Sequence, residues 1–174
     1  MMPPLYPPEF VQPMRDELTA VGFRELRTPD EVDREVTAPG TALVVINSIC
    51  GCAGGTARPA AAMALQNRVI PDRLVTVFAG MEREAVERVR QYHRDAAPPS
   101  SPSMVLFKDG RVVAMVPRSD IEGRAPEELA ARLVAAFNEH CARPGPSIPP
   151  EDFARLRYGR TCGSSIPRAP MGSP

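Results

Sequence analysis

Tryptophan is absent from this chain of 174 residues, aromatics make up 5% of it, and Lys108 is the only lysine. A core must therefore be built from aliphatic side chains, and a hydrophobic fraction of 43% is enough for one. Net charge is lacking as well: Lys+Arg and Asp+Glu both number 21. Nothing then draws the chain as a whole to nucleic acid or to an anionic membrane surface, and neither is an expected partner. No uninterrupted apolar run has the length of a membrane span. Met1 to Phe10 is Pro-rich, without the basic head and apolar stretch of a secretory signal. The expected location is the cytoplasm, where lasting structural disulfides are rare. Cys50, Cys52, Cys141 and Cys162 are then to be read as reactive, metal-binding or merely buried.

What is present suits one domain with tails. Residues 1–8 read as a Pro-rich arm, 9–142 as the domain, and 143–174 as a flexible or loosely docked tail rich in Pro, Gly, Ser and Arg. Phe10, Val11, Met14, Leu18 and Val21 recur at helical spacing up to Gly22, and Phe23 to Leu26 suits a short strand. Thr28, Pro29 and Glu31 form a helix start, with a cap, a first-turn proline and an acid three residues after the cap. Thr41 to Ser48 and Leu74 to Ala79 are aliphatic runs of the buried-strand type. Ala60 to Val69 has helical composition, with Gly54, Gly55 and Pro59 loosening or kinking its start. Arg83 to Arg94 reads as a helix with Val86, Val89 and Tyr92 or His93 inward, and Ala125 to His140 as a closing helix. Asp109-Gly110 between Met104–Phe107 and Val112–Val116 is a hairpin signal. The order implies an α/β fold whose mixed sheet of four to five strands is covered by helices on both faces.

Cys50-Gly51-Cys52 lies where a buried strand passes into a helix. Helix N-termini carry unsatisfied N–H groups and partial positive charge, which favour a thiolate, the nucleophile of disulfide exchange. Cys50, nearer the strand end, is the expected attacking sulfur, and Cys52 can attack a mixed disulfide formed on it. A Cys-x-Cys disulfide closes a small, strained ring, which favours the dithiol and gives an oxidising or isomerising poise. An external thiol is the alternative resolving group. A zinc site is a competing reading, with His140 and Cys141 as a second ligand pair, although the sequence holds no second Cys-x-x-Cys. The proline of Ser101-Pro102 enters a strand, and the residues alone leave an ordinary trans turn open. His93 and His140 read as helix-surface residues rather than acid–base catalysts.

Pro102 to Gly110 resembles the cis-proline, strand and glycine hairpin of thioredoxins, and implies a thioredoxin-like fold. A closer resemblance, to the bacilliredoxin family, covers roughly Glu9 to Cys141. It is carried by residues 13–19 (PMRDELT), by residues 22–26 (GFREL), and above all by residues 45–59 (VINSICGCAGGTARP). It implies removal of bacillithiol from S-bacillithiolated proteins. Cys50 would be the attacking sulfur, Cys52 or free bacillithiol the regenerating thiol, and bacillithiol a co-substrate with no cofactor bound. The family has also been linked to disulfide isomerisation. Ser101 and Pro102 are expected to meet substrate. Arg58 is expected at a bacillithiol carboxylate or at the Cys50 sulfur, with a surface or helix-packing role as its alternative. Asn47 is placed in the binding set, and with Ser48 it can orient the active turn through side-chain to backbone bonds. Cys141 is either a partly buried helix-end thiol or a resolving one.

Overall fold

The computed structural model describes residues 1–156. In chain order the elements are α1 (Pro8–Thr19), β1 (Arg24–Glu25), α2 (Pro29–Thr37) and β2 (Thr41–Asn47). A π-helical turn, Ala53–Ala57, then leads into α3 (Arg58–Ala64). Next come β3 (Val69–Ile70), β4 (Arg73–Phe78), α4 (Arg83–His93), β5 (Ser103–Lys108), β6 (Arg111–Val116), α5 (Pro126–His140), β7 (Arg143–Pro144) and α6 (Pro150–Arg155).

The main sheet has the order β1-β4-β2-β5-β6. β4 runs parallel to both β1 and β2, β5 is antiparallel to β2, and β6 is antiparallel to β5. This is the α/β, thioredoxin-like arrangement expected from the sequence. Every residue of β2 is buried, and the strand period of two sends its side chains to opposite faces. Leu43 and Val45 pack with Met104, Leu106, α3 and α5 on one face. Ala42, Val44 and Ile46 pack with Val75, Val77, Phe107 and the apolar sides of α2 and α4 on the other. The core is almost wholly aliphatic, in keeping with the scarcity of aromatics.

The Thr28–Glu31 capping box forms in full. The helix after β2 differs from expectation at both ends. Its helical turns begin at Gly51, and Gly54 and Gly55 lie inside them, buried. The wide π turn sits just ahead of Pro59, whose ring would crowd the carbonyl four residues earlier in a regular α-helix. At the other end the helix stops at Ala64, and Val69–Ile70 pairs antiparallel with Arg143–Pro144. The segment expected to be a flexible or loosely docked tail is thus attached over residues 143–156. Gly145 N donates to Arg68 O at 2.8 Å, and Ser147 N to Leu65 O at 2.9 Å. Ile148, Phe153 and Leu156 cover the α3–α5 side of the core. Those apolar side chains, on a backbone already restricted by prolines, suffice to dock a segment of polar composition. The remainder, including Cys162, lies outside the described residues.

Candidate active site

β2 ends at Asn47, and Cys50 follows at the head of the helical stretch, where its carbonyl accepts from Ala53 N at 3.1 Å. Cys50, Cys52 and Cys141 are half-buried. The Ser48 hydroxyl donates to Cys50 Sγ at 3.2 Å and accepts from Cys50 N at 3.3 Å, which fixes the sulfur against its own turn. Cys52 Sγ faces Glu122 Oε1 at 3.9 Å.

Behind the turn is a buried scaffold. Asn47 Nδ2 donates to Met14 O at 3.1 Å, and Asn47 Oδ1 accepts from Ser48 N at 2.9 Å. Arg58 Nη1 donates to Asn47 Oδ1 at 2.9 Å and to Ser48 O at 3.0 Å. Its Nε pairs with Glu17 Oε2 at 2.5 Å. Arg58 and Asn47 are each 1% exposed. The expectation that they bind substrate is therefore corrected: neither side chain reaches solvent, and both hold the backbone that presents Cys50. The side-chain to backbone role expected of Asn47 and Ser48 is the one they adopt.

Strand register brings the proline loop to the same edge. Ile46 lies opposite Ser103, so Pro102 falls level with Asn47. The Ser101–Pro102 peptide bond is cis. Ser101 lines a cavity of about 320 Å³ together with Ser48, Ile49, Cys50, Arg90 and Arg118, while Pro102 is buried behind it. Leu5 and Tyr6 of the N-terminal arm form the far wall, and Leu5 N donates to Gly80 O at 2.7 Å.

Arg118 is a site residue that sequence reasoning missed. Its Nε donates to Glu122 Oε1 at 2.5 Å and its Nη1 to Ser101 O at 3.2 Å. Its pKa is raised first by the bond to Glu122 and next by the negative charge that Cys50 can carry, with a smaller contribution from Cys52. A guanidinium thus stands within electrostatic reach of both sulfurs. A usable signal was present: Met104 pairs with Val116 across the hairpin, so residues just past β6 return to the start of β5. Nothing in the spacing of Arg90 on α4 marks it in the same way.

Two further readings are decided. Of the two readings of His93, inward on its helix or at the helix surface, the inward one holds: it is 1% exposed and lies with Ala85, Val86 and Val89 on the buried side of α4. Burial lowers its pKa from 6.5, with Arg90 adding to the effect. Cys141 contacts Thr41, the first residue of β2, and burial pushes its pKa up. Cys50 lies past the other end of that strand of 7 residues, roughly 20 Å away at ~3.3 Å per residue. Cys141 is therefore out of reach as an intramolecular resolving thiol. For the same reason, His140 and Cys141 do not complete a zinc set with Cys50 and Cys52. Among the described residues no group of three or more His, Cys, Asp or Glu is placed to hold a metal ion, and no helix is long and apolar enough to cross a membrane.

A dithiol at the head of a helix, on a sheet of this order and beside a proline loop, defines a thiol–disulfide oxidoreductase of thioredoxin-like fold. Residues 6–141 match the family described as disulphide isomerase. A bacilliredoxin of Halalkalibacterium halodurans is 56% identical, over 78% of this chain and 94% of its own. One of Geobacillus kaustophilus is 53% identical, over 79% and 94%. One of Symbiobacterium thermophilum is 54% identical, over 76% and 93%. The chain belongs to the bacilliredoxin family. Among solved structures, a thioredoxin of Malassezia sympodialis overlays with a TM-score of 0.45 at 15% identity, covering 67% of this chain and 91% of that one.

Proposed function

We propose that the chain removes bacillithiol from mixed disulfides on proteins, with Cys50 as the attacking sulfur. The observation that carries this reading is a reachable Cys50 at the cavity mouth, flanked by the Ser48 hydroxyl and the Arg118 guanidinium. Bacillithiol is the co-substrate, and the partners are S-bacillithiolated client proteins in a reducing compartment, the cytoplasm.

The Cys50 thiolate attacks the bacillithiol sulfur of the client mixed disulfide. A Cys50–bacillithiol bond forms as the client–bacillithiol bond breaks, and the client sulfur leaves as a thiolate and takes a proton from solvent. Arg118 offers positive charge where negative charge moves between sulfurs. In the second exchange the Cys52 thiolate attacks Cys50 Sγ, closing the Cys50–Cys52 disulfide and releasing bacillithiol. Alternatively, a free bacillithiol thiolate attacks the sulfur of the bound one, which leaves as bacillithiol disulfide and restores the dithiol.

The test is the release of bacillithiol from a bacillithiolated client. Cys50→Ser is expected to fall to the uncatalysed rate. With a dithiol supplied to reduce the Cys50–Cys52 disulfide, wild type is expected to turn over repeatedly, whereas Cys52→Ser is expected to strip one client per enzyme and keep the bacillithiol on Cys50 until free thiol removes it. Full activity in Cys50→Ser would overturn the mechanism.

The description of the matched family favours a second reading, protein disulfide isomerisation through the same sulfur. Refolding of a scrambled disulfide protein checks it, and a rate no higher than that of free dithiol removes it.

A further inference from the structure

Among the described residues, the cavity beside Cys50 is lined by two arginines, Arg90 and Arg118, and by no carboxylate; its other walls come from Leu5, Tyr6, Ile49 and small residues. Both guanidinium groups retain unused donors. Arg90 Nε is buried with no hydrogen-bond partner among the described residues. The nearest acid to Arg90, Glu87, stands 4.0 Å from Nη1, at the limit of an ion pair. Arg118 directs Nε to Glu122 and Nη1 to the Ser101 carbonyl, at the cavity edge. The Arg90 side chain is 24% exposed and lines the cavity, so a ligand there can meet it although Nε itself is shut off from solvent. The volume, about 320 Å³, lies at the small end of ligand clefts.

We propose that Arg90 and Arg118 form a carboxylate-binding subsite that selects small thiols with an acidic end and presents their sulfur to Cys50. This rests on the de-bacillithiolation reading and names what the same site recognises. Bacillithiol suits the subsite, since its malyl group carries two carboxylates. The planar guanidinium fork matches a carboxylate better than an ammonium does.

One client peptide, carrying either bacillithiol or cysteamine in mixed disulfide, provides the test. The full-length reduced protein is assayed for kcat/KM on both. Wild type is expected to favour the bacillithiol form. Arg90→Gln is expected to lower the ratio of the two values about tenfold, the scale of one charge-assisted bond. Arg118→Gln should lower the ratio in the same direction, and Arg90→Lys should restore part of it. Because the readout is a ratio on one protein, a general loss of folding or of Cys50 reactivity does not move it. A ratio unchanged in both glutamine variants overturns the subsite while leaving the exchange mechanism intact. Failure of wild type to remove either thiol overturns the mechanism and the subsite together. Repeating the assay with acidic and neutral residues flanking the client cysteine separates the sources of charge. A preference that follows those residues instead of the thiol overturns the proposal.

Discussion

Arg58 and Glu17 are 1% and 2% exposed, and they hold the turn before Cys50 through Asn47 and the Ser48 carbonyl. Truncating one member of a buried, hydrogen-bonded ion pair strands the desolvation cost of the other. Arg58→Met is expected to lower unfolding stability by about 3–5 kcal/mol in urea titration; a loss below 1 kcal/mol would contradict the scaffold role. His93 gives a pH signature. Its folded pKa is lowered by burial, which outweighs the opposing backbone hydrogen bonds, with a small further lowering from Arg90, so the unfolded state takes up its proton more readily. The His93 contribution is thus fully present above pH 6.5 and declines as pH falls from there through the lowered folded value. Stability measured across that window is expected to fall with pH in wild type and to fall less in His93→Phe. Equal slopes would refute the assignment. At this scale the sequence disclosed Cys50 and the Asn47–Ser48 turn because their chemistry is local. It left the burial of Arg58 and His93 as one alternative among others, since spacing within a helix does not show that Glu17 of another element pairs with Arg58, or which of Tyr92 and His93 turns inward.

The β5–β6 hairpin was legible because its turn chemistry lies within two residues. Asp109 and Gly110 have φ of 52° and 80°, both left-handed, as a type I′ turn requires. A Cβ at Gly110 would meet nothing closer than Thr37 Cα at 3.7 Å, so the cost of an added methyl is the backbone conformation itself. Gly110→Ala is expected to lower stability by about 1–2 kcal/mol, read as a drop in the thermal midpoint, with the exchange rate at 25 °C retained. The Thr28 capping box was equally plain for the same reason. The helix after β2 begins earlier than its Ala-rich composition indicates, because glycine and proline ordinarily interrupt a helix. The tertiary setting instead buries Gly54 and Gly55 inside the π turn. β3 and β7 escaped notice because two residues carry no period, and their pairing joins segments far apart in the chain.

Across the described residues, the sheet sets Cys50 and Cys52 apart from Cys141. β2 presents Cys50 and Cys52 past one end, with Arg118 and the proline loop, while Cys141 sits at the other end beside Thr41. The aliphatic runs and the order of strands and helices foretold this layered architecture. Of the two readings of the tail, flexible or loosely docked, residues 143–156 take the docked one; the choice was open because a few apolar side chains among prolines give no periodic signal. The central claim, that Cys50 alone takes the small thiol first, is tested most directly by peptide mapping. Cys52→Ser is mixed with a bacillithiolated client, quenched in acid after one turnover and digested. The account predicts bacillithiol on the peptide that contains Cys50. Bacillithiol found instead on the Cys141 peptide, or left on the client, would contradict it.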